Sequence, residues 1–321
     1  MKVKFFLPLT VALLMFPQLA QTLYSPALED IGRAFAVGPE RAGQTLSVYF
    51  LAFAFGVVVW GRLCDRWGRR PVMLAGLALY VAASVLALGM TSFNGLLLAQ
   101  ALAAFGAAVG SVVTQTVLRD RFKGVQLAQV FSLMGIALAA SPAVGLFTGA
   151  SLVQFFGYRG VLSGLLLLSL TLWAWCVWAL PETRPASMPT AALGQTLRLL
   201  LRDAGIWRSV GLVAAFNIAL FSYYSVGPFI FSRLGLSAAD FGYSGVLLAL
   251  GSGCGAWLNK RLLKRGVNGE RLVLIAAGVA VLGGLLVVLL QHSGLFVWPM
   301  LLVVLAFGMA IPNVLGAALV A

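Results

Sequence analysis

Charge is scarce in this chain. Of 321 residues only 10% are Asp, Glu, Lys or Arg, against roughly a quarter in an ordinary soluble domain. The nine acids are Glu29, Asp30, Glu40, Asp65, Asp120, Glu182, Asp203, Asp240 and Glu270, and all lie in loops or at the ends of apolar runs. There is one histidine, His292, placed near a span end as a surface residue. No Ser-His-Asp set and no metal-ligand cluster is visible around it. Cys64, Cys176 and Cys254 are scattered without metal or redox spacing, so neither a metal nor a disulfide is expected. No glycine-rich phosphate loop is present. An enzyme therefore has no candidate constellation, and no cofactor is implied.

Apolar sequence fills the space. The chain is 61% hydrophobic with a mean hydropathy of +0.99, which excludes a soluble domain. A bilayer-spanning helix needs roughly 20 apolar residues, because in lipid the backbone polar groups must pair within the segment. Ten such spans are expected, near 5–27, 43–60, 72–91, 95–118, 126–150, 160–180, 209–232, 241–258, 272–291 and 295–320. The predicted fold class is an all-α integral membrane protein. Met1-Lys2-Val3-Lys4 and the run after it resemble a signal peptide, but the run is too long and a second span follows at once.

The net charge of +13 raises nucleic-acid binding as a function, and the positions of the charges argue against it. With the N-terminus placed in the cytoplasm, every base except Arg33, Arg41, Arg159 and Arg233 falls on the inner side. That asymmetry is the positive-inside signature of membrane topology. The expected location is a bacterial-type inner membrane, multi-pass, with the bilayer as partner and no nucleic acid.

The longest polar interval divides the chain into a six-span bundle (1–181), a cytoplasmic linker (182–208) and a shorter bundle of four spans (209–321). The two halves echo each other. Gly255-Ala256-Trp257-Leu258-Asn259-Lys260 follows the eighth span as Gly61-Arg62-Leu63-Cys64-Asp65-Arg66 follows the second. Related halves are a common transporter plan, with substrate bound between them near the midplane.

The tight charged turn Gly61-Arg62-Leu63-Cys64-Asp65-Arg66-Trp67-Gly68-Arg69-Arg70-Pro71 resembles the loop between helices 2 and 3 of the major facilitator superfamily. Tyr24-Ser25-Pro26-Ala27-Leu28, the stretch from Phe105-Gly106 to Arg119-Asp120, Ser141-Pro142-Ala143-Val144-Gly145 and Leu180-Pro181-Glu182-Thr183 look like its drug:proton antiporters, near the Bcr/CflA and multidrug-resistance-protein-D groups. The resemblance covers essentially the whole chain. It implies a twelve-helix bundle of two related halves, of which ten spans are visible here, and on that ground the chain is expected to be a piece of a longer protein.

Within the turn, Gly61 permits close helix approach and Gly68 a tight bend. Asp65 can pair with Arg69, with Asp120 as a second acid at the inner end of the fourth span, and Arg66 and Arg70 complete the cluster. Such ion pairs are expected to latch one conformation and release in another. The resemblance implies a further contact of Asp65 with the N-terminus of an eleventh helix; the plainer alternative is that the arginines only fix topology.

Neutral polar residues mark the membrane interior. Gln18, Gln21, Thr22 and Ser25 form one stripe on the first span. Gln100, Ser111 and Thr114 share a face of the fourth, and Asn217, Phe221 and Tyr224 a face of the seventh; Asn313 lies in the tenth. By resemblance these spans line a central cavity suited to apolar or amphipathic small molecules, while helix–helix glue is the alternative for each residue. The antiporters often carry an acid near the position of Thr22 and an arginine at that of Gln100; here both are neutral, as is Gln115. Protons are implied as coupling partner by the family, with Glu29, Asp30, Asp65 or groups outside these ten spans as carriers. The expected function is export of drug-like compounds by alternating access. The alternatives are a metabolite transporter of the same fold and a non-transporting membrane remnant.

Overall fold

The computed structural model describes residues 3–185 and 203–318. All regular structure among them is helical. In chain order the helices are α1 (Val3–Tyr24), α2 (Leu28–Ala34), α3 (Pro39–Trp67), α4 (Arg69–Gly89), α5 (Phe93–Arg121), α6 (Gly124–Ala179), α7 (Ala204–Arg233), α8 (Ala238–Lys264), α9 (Gly269–Leu290) and α10 (Val297–Ala318). A short 3-10 turn, Ser25–Ala27, carries α1 into α2. Polar caps start the helices where apolar sequence begins: Ser92 for α5, Asp203 for α7, a Ser237–Asp240 capping box for α8 and Asn268 for α9.

Among the described residues nine helices are long and apolar enough to cross a membrane, with Phe6–Ala34 counted as one. The sequence predicts ten spans, and the difference lies in α6. Its 56 residues contain the fifth and sixth predicted spans in one helical run, interrupted at Gly157 (φ 62°, ψ −167°). A straight helix of that length reaches about 84 Å, nearly three times the roughly 30 Å hydrocarbon core. The break uses backbone angles that only glycine adopts readily. No polar loop separates the two runs, and Pro142 lies within the helical run.

The chain separates into two compact units, Met1–Thr190 and Ala191–Ala321. The predicted linker 182–208 lies mostly outside the described residues, with Arg198 and Arg202 in the part not described.

In the first unit α5 packs against α3, α4 and α1, and α6 against α1 and α4. Small residues set these crossings. A Cβ on Gly106 would lie 2.6 Å from the Gly76 carbonyl oxygen of α4, and one on Gly110 at 2.6 Å from that of Leu13 in α1. The Trp60 indole donates to the Phe105 carbonyl at 2.7 Å, fixing α3 on α5. Phe16 and Tyr80, both fully buried, meet edge to face with ring centroids 4.7 Å apart.

In the second unit α10 packs against α8, α9 and α7. Phe216, Leu272, Ala276, Ala306, Met309 and Ala310 form a buried cluster at one end. Tyr223, Phe231, Phe241 and Phe296 pack with centroids 5.3–6.4 Å apart, and the Tyr223 hydroxyl donates to Ser244 at 2.6 Å. Gly255 and Gly308 bring α8 and α10 into backbone contact, as glycines do for α5 and its neighbours in the first unit.

Candidate functional site

The turn after α3 is built around Gly68. Its φ of +100° ends α3 and restarts the chain as α4 one residue later. Because the helix is broken there, Arg69 does not extend along the same face as Asp65. Its guanidinium crosses to α5, with Nε donating to Asp120 Oδ2 at 2.7 Å and Nη2 to Oδ1 at 3.4 Å. Nη1 donates to the Cys64 carbonyl at 3.2 Å. The Arg69 side chain is 1% exposed and that of Asp120 8%.

A second carboxylate, unassigned by sequence, closes this structure. Glu182 lies just past α6 and accepts at Oε1 from the Arg69 backbone N–H (3.0 Å) and at Oε2 from that of Arg70 (3.1 Å). It thereby caps the first turn of α4, where a negative charge also meets the positive end of the helix dipole. Thr183 and Arg184 N–H groups donate to the same carboxylate at 2.9 and 2.8 Å. Burial acts to raise the Glu182 carboxyl, and the backbone N–H groups of Arg69, Arg184, Arg70 and Thr183 outweigh it, holding it below the usual glutamate range. The Thr183 hydroxyl donates to Asp120 Oδ2 at 3.0 Å, Arg184 Nη1 to the Arg66 carbonyl at 2.6 Å, and Arg70 Nη2 to the Val177 carbonyl at 2.7 Å. Three distant stretches, 64–70, 120 and 177–184, are thus tied into one clasp at one end of the first unit.

Of the predicted gating residues, the structure brings Gly68, Arg69, Arg70, Asp120 and the Arg66 carbonyl into this clasp. Asp65 is half-buried on α3. Gly61 is not the tight crossing point: a Cβ there would sit 3.4 Å from Val112, an ordinary contact, whereas at Gly56 it would meet the Phe105 carbonyl and the Ala108 methyl at 2.8 Å. Sequence assigns Glu182, Thr183 and Arg184 no role in the turn, although two signals are there: Glu182 and Thr183 belong to the family-like stretch 180–183, and an acid stands directly after a span on the side where bases dominate.

The predicted cavity residues fall into separate settings. Gln21, Thr22 and Ser25 are buried on and just after α1, and Gln18 is half-buried. Thr22 donates to the Gln18 carbonyl at 2.8 Å, on the side facing Gly145 of α6. Both amide atoms of Gln21 and the Thr114 hydroxyl are buried without a hydrogen-bond partner among the described residues. Tyr24 approaches Thr45 of α3 and Gln100 of α5, and Gln21, three residues earlier, lies in the same sector of α1. Ser111 is half-buried and accepts from Gln115 at 3.4 Å. In the second unit Tyr224 is buried, with its ring centroid 5.8 Å from that of half-buried Phe221, and Asn217 donates to the Val213 carbonyl at 2.8 Å.

Asn313 donates to Asn259 Oδ1 at 2.7 Å and to the Met309 carbonyl at 2.9 Å. Its Oδ1 sits 3.2 Å from where a Cβ would stand on Gly269, the first residue of α9. By the internal repeat Asn259 corresponds to Asp65, and α8, α9 and α10 meet there as α3, α4 and α5 meet in the first unit. At this end the second unit joins two of its helices by an uncharged amide pair, whereas the first uses the Arg69–Asp120 ion pair, in which Asp65, the counterpart of Asn259, takes no part.

The family model described as Major Facilitator Superfamily matches residues 11–321. The chain belongs to this superfamily. Its relatives include an uncharacterized transporter of Rickettsia bellii, 29% identical over 274 residues, which cover 83% of this chain and 67% of that one. Multidrug resistance protein D of Escherichia coli is 29% identical over 265 residues, 79% of this chain and 65% of that protein. The chain thus spans about two thirds of the length of these relatives. Among solved structures, a bacterial homolog of the human lysosomal transporter Spinster in an inward-facing conformation superposes with a TM-score of 0.73 at 14% identity, covering 98% of this chain and 74% of that one. That likeness is one of fold. Major facilitator proteins are transporters rather than enzymes, and this chain is a multi-pass member with multidrug-resistance relatives.

Proposed function

We propose that this major facilitator protein exports apolar or amphipathic drug-like molecules across a bacterial inner membrane by alternating access, with its N-terminus in the cytoplasm and protons as the coupling ion. The observation that carries the proposal is the character of the membrane interior. The predicted cavity positions hold amides, hydroxyls and rings, among them Gln21, Thr22, Gln100, Thr114 and Tyr224, all buried, and no span centre holds a charge. A neutral, aromatic-containing lining favours apolar and amphipathic solutes, including cations that stack on rings, over acidic or basic metabolites. The multidrug resistance relative supports the same substrate class, and the distribution of bases supports the orientation. The clasp of Arg69, Asp120 and Glu182 supports a gating role for the turn, as a set of contacts strong enough to favour one state of the bundle.

The test is accumulation of lipophilic cationic dyes in pump-deficient bacteria expressing the complete gene. Lower accumulation, restored by collapsing the proton gradient, is expected. Unchanged accumulation with several dyes overturns the proposal.

A second function, transport of one specific neutral metabolite, draws on the unpartnered amide of Gln21. Buried polar groups demand partners, and a hydrogen-bonding solute would supply them. Competition profiling separates the two: a broad set of competitors supports drug export, a single strong one a metabolite.

A further inference from the structure

The inner turns of the two units are related in sequence and used differently. In the first, Arg69 and Arg70 bind Asp120 and the Val177 carbonyl. The related turn in the second unit carries Lys260, Arg261, Lys264, Arg265 and Arg271, all exposed. No carboxylate, carbonyl or hydroxyl among the described residues binds their side chains. The one acid within the stretch, Glu270, is exposed in the first turn of α9. Five cations stand together with no anionic partner among the described residues.

Their placement is specific. Trp257, Arg261 and Lys264 fall at i, i+4 and i+7 on one face of α8. The Arg261 guanidinium lies 5.2 Å from the centre of the Trp257 ring, which is itself 58% exposed. The turn after α8 is short, with Gly266 at φ +83° and Asn268 capping α9, so Arg265 and Arg271 are held at the same end. Toward the middle of α8 the same face continues with Leu250 and Val246, 63% and 41% exposed. Apolar surface thus runs into an indole and then into a cluster of unpaired bases.

We propose that this face of the second unit binds an anionic phospholipid, its phosphate held by Arg261, Lys264 and Arg265, its glycerol region against Trp257 and an acyl chain along Leu250 and Val246. The chemistry is that of a polybasic segment at a membrane surface, made selective by the aromatic and apolar surface beneath it. Topology alone requires bases at this end of the bundle; it does not require an exposed indole under an arginine and an apolar stripe leading to it.

The purified chain, stripped of lipid in neutral detergent, is titrated with phosphatidylglycerol or phosphatidylcholine, and bound lipid is counted by native mass spectrometry. Preferential retention of phosphatidylglycerol is expected. The combined change Arg261→Gln, Lys264→Gln and Arg265→Gln should weaken it about fivefold for each base removed. The combined change Arg119→Gln, Arg121→Gln and Lys123→Gln removes the same charge from the first unit and should leave retention within about twofold, since contact at the site, not net charge, sets it. Brominated phosphatidylglycerol should quench Trp257, seen as a smaller quench in Trp257→Phe. Equal weakening by both triple variants, equal retention of the two lipids, or displacement of the lipid by inorganic phosphate at equal concentration each overturns the proposal. If the triple variant aggregates, Arg261→Gln alone decides, with a loss of about fivefold expected and no loss overturning it.

Discussion

Arg69 of α4 is paired with Asp120 of α5, not with Asp65 four residues before it: Nε stands 2.7 Å from Asp120 Oδ2 while Nη1 donates to the Cys64 carbonyl. With the arginine 1% exposed, the pair stands or falls as a unit. Removing one partner of a buried ion pair costs about 3–5 kcal/mol, because the other charge is left stranded. Asp120→Ala should therefore lower thermal stability far more than Asp65→Ala, measured by tryptophan fluorescence or thermal aggregation in detergent. Arg69→Lys in the native background should also lower it, because an ammonium cannot reach Asp120 and the Cys64 carbonyl together.

Glu182 yields a pH prediction. Its carboxyl is held below the ordinary glutamate range by four backbone N–H groups that outweigh burial. A group depressed in the folded state contributes stability that is complete above its unfolded value, about 4.3, and is lost as the pH falls through the folded one. Acidification below about 4.3 should loosen the clasp, and Glu182→Gln should flatten that acid limb while lowering stability at neutral pH. Unfolding temperatures measured across the acid range for both proteins check the sign.

Gly68 separates two kinds of strain. Its φ is +100°, and a Cβ there would stand 2.7 Å from Glu182 Oε2. Gly68→Ala should be destabilising by at least about 1 kcal/mol from the backbone alone. Added to Glu182→Ala it should cost less than in the native background, since the collision is gone and the backbone strain remains. A double-mutant cycle on unfolding free energies reads the difference.

The Asn259–Asn313 pair, 2.7 Å apart, predicts the reverse pattern to single losses. Asn259→Leu leaves the Asn313 amide short of a buried partner, at a cost of about 1–3 kcal/mol. Changing both to leucine should recover most of it. If the double variant is no more stable than either single one, the bond is not what holds α8 to α10 at this end.

The helices were legible because lipid leaves the backbone few choices: apolar runs of this length must pair their own polar groups. The break at Gly157 falls between the two expected spans, and its shape was not legible because two spans joined by a single residue differ little, in sequence, from two spans joined by a loop. The clasp was half legible. Spacing suggested Asp65 for Arg69 since i and i−4 face each other on a helix, but Gly68 ends that helix between them. Glu182 could not be placed, since its partners are backbone N–H groups 112 and 113 positions earlier, and backbone donors leave no residue-type signature. The unpartnered amide of Gln21 is a fact of packing that no periodicity displays.

The clasp also bears on how the protein is made. Its parts are drawn from residues 64–70, 120 and 177–184, so it is discontinuous along the chain. During synthesis Arg69 meets the membrane boundary without its Asp120 partner until that residue emerges, and the turn has no cap until Glu182 follows. The first unit can therefore lock only when its last residues have left the ribosome, so that completion of its own translation acts as the signal for its closure.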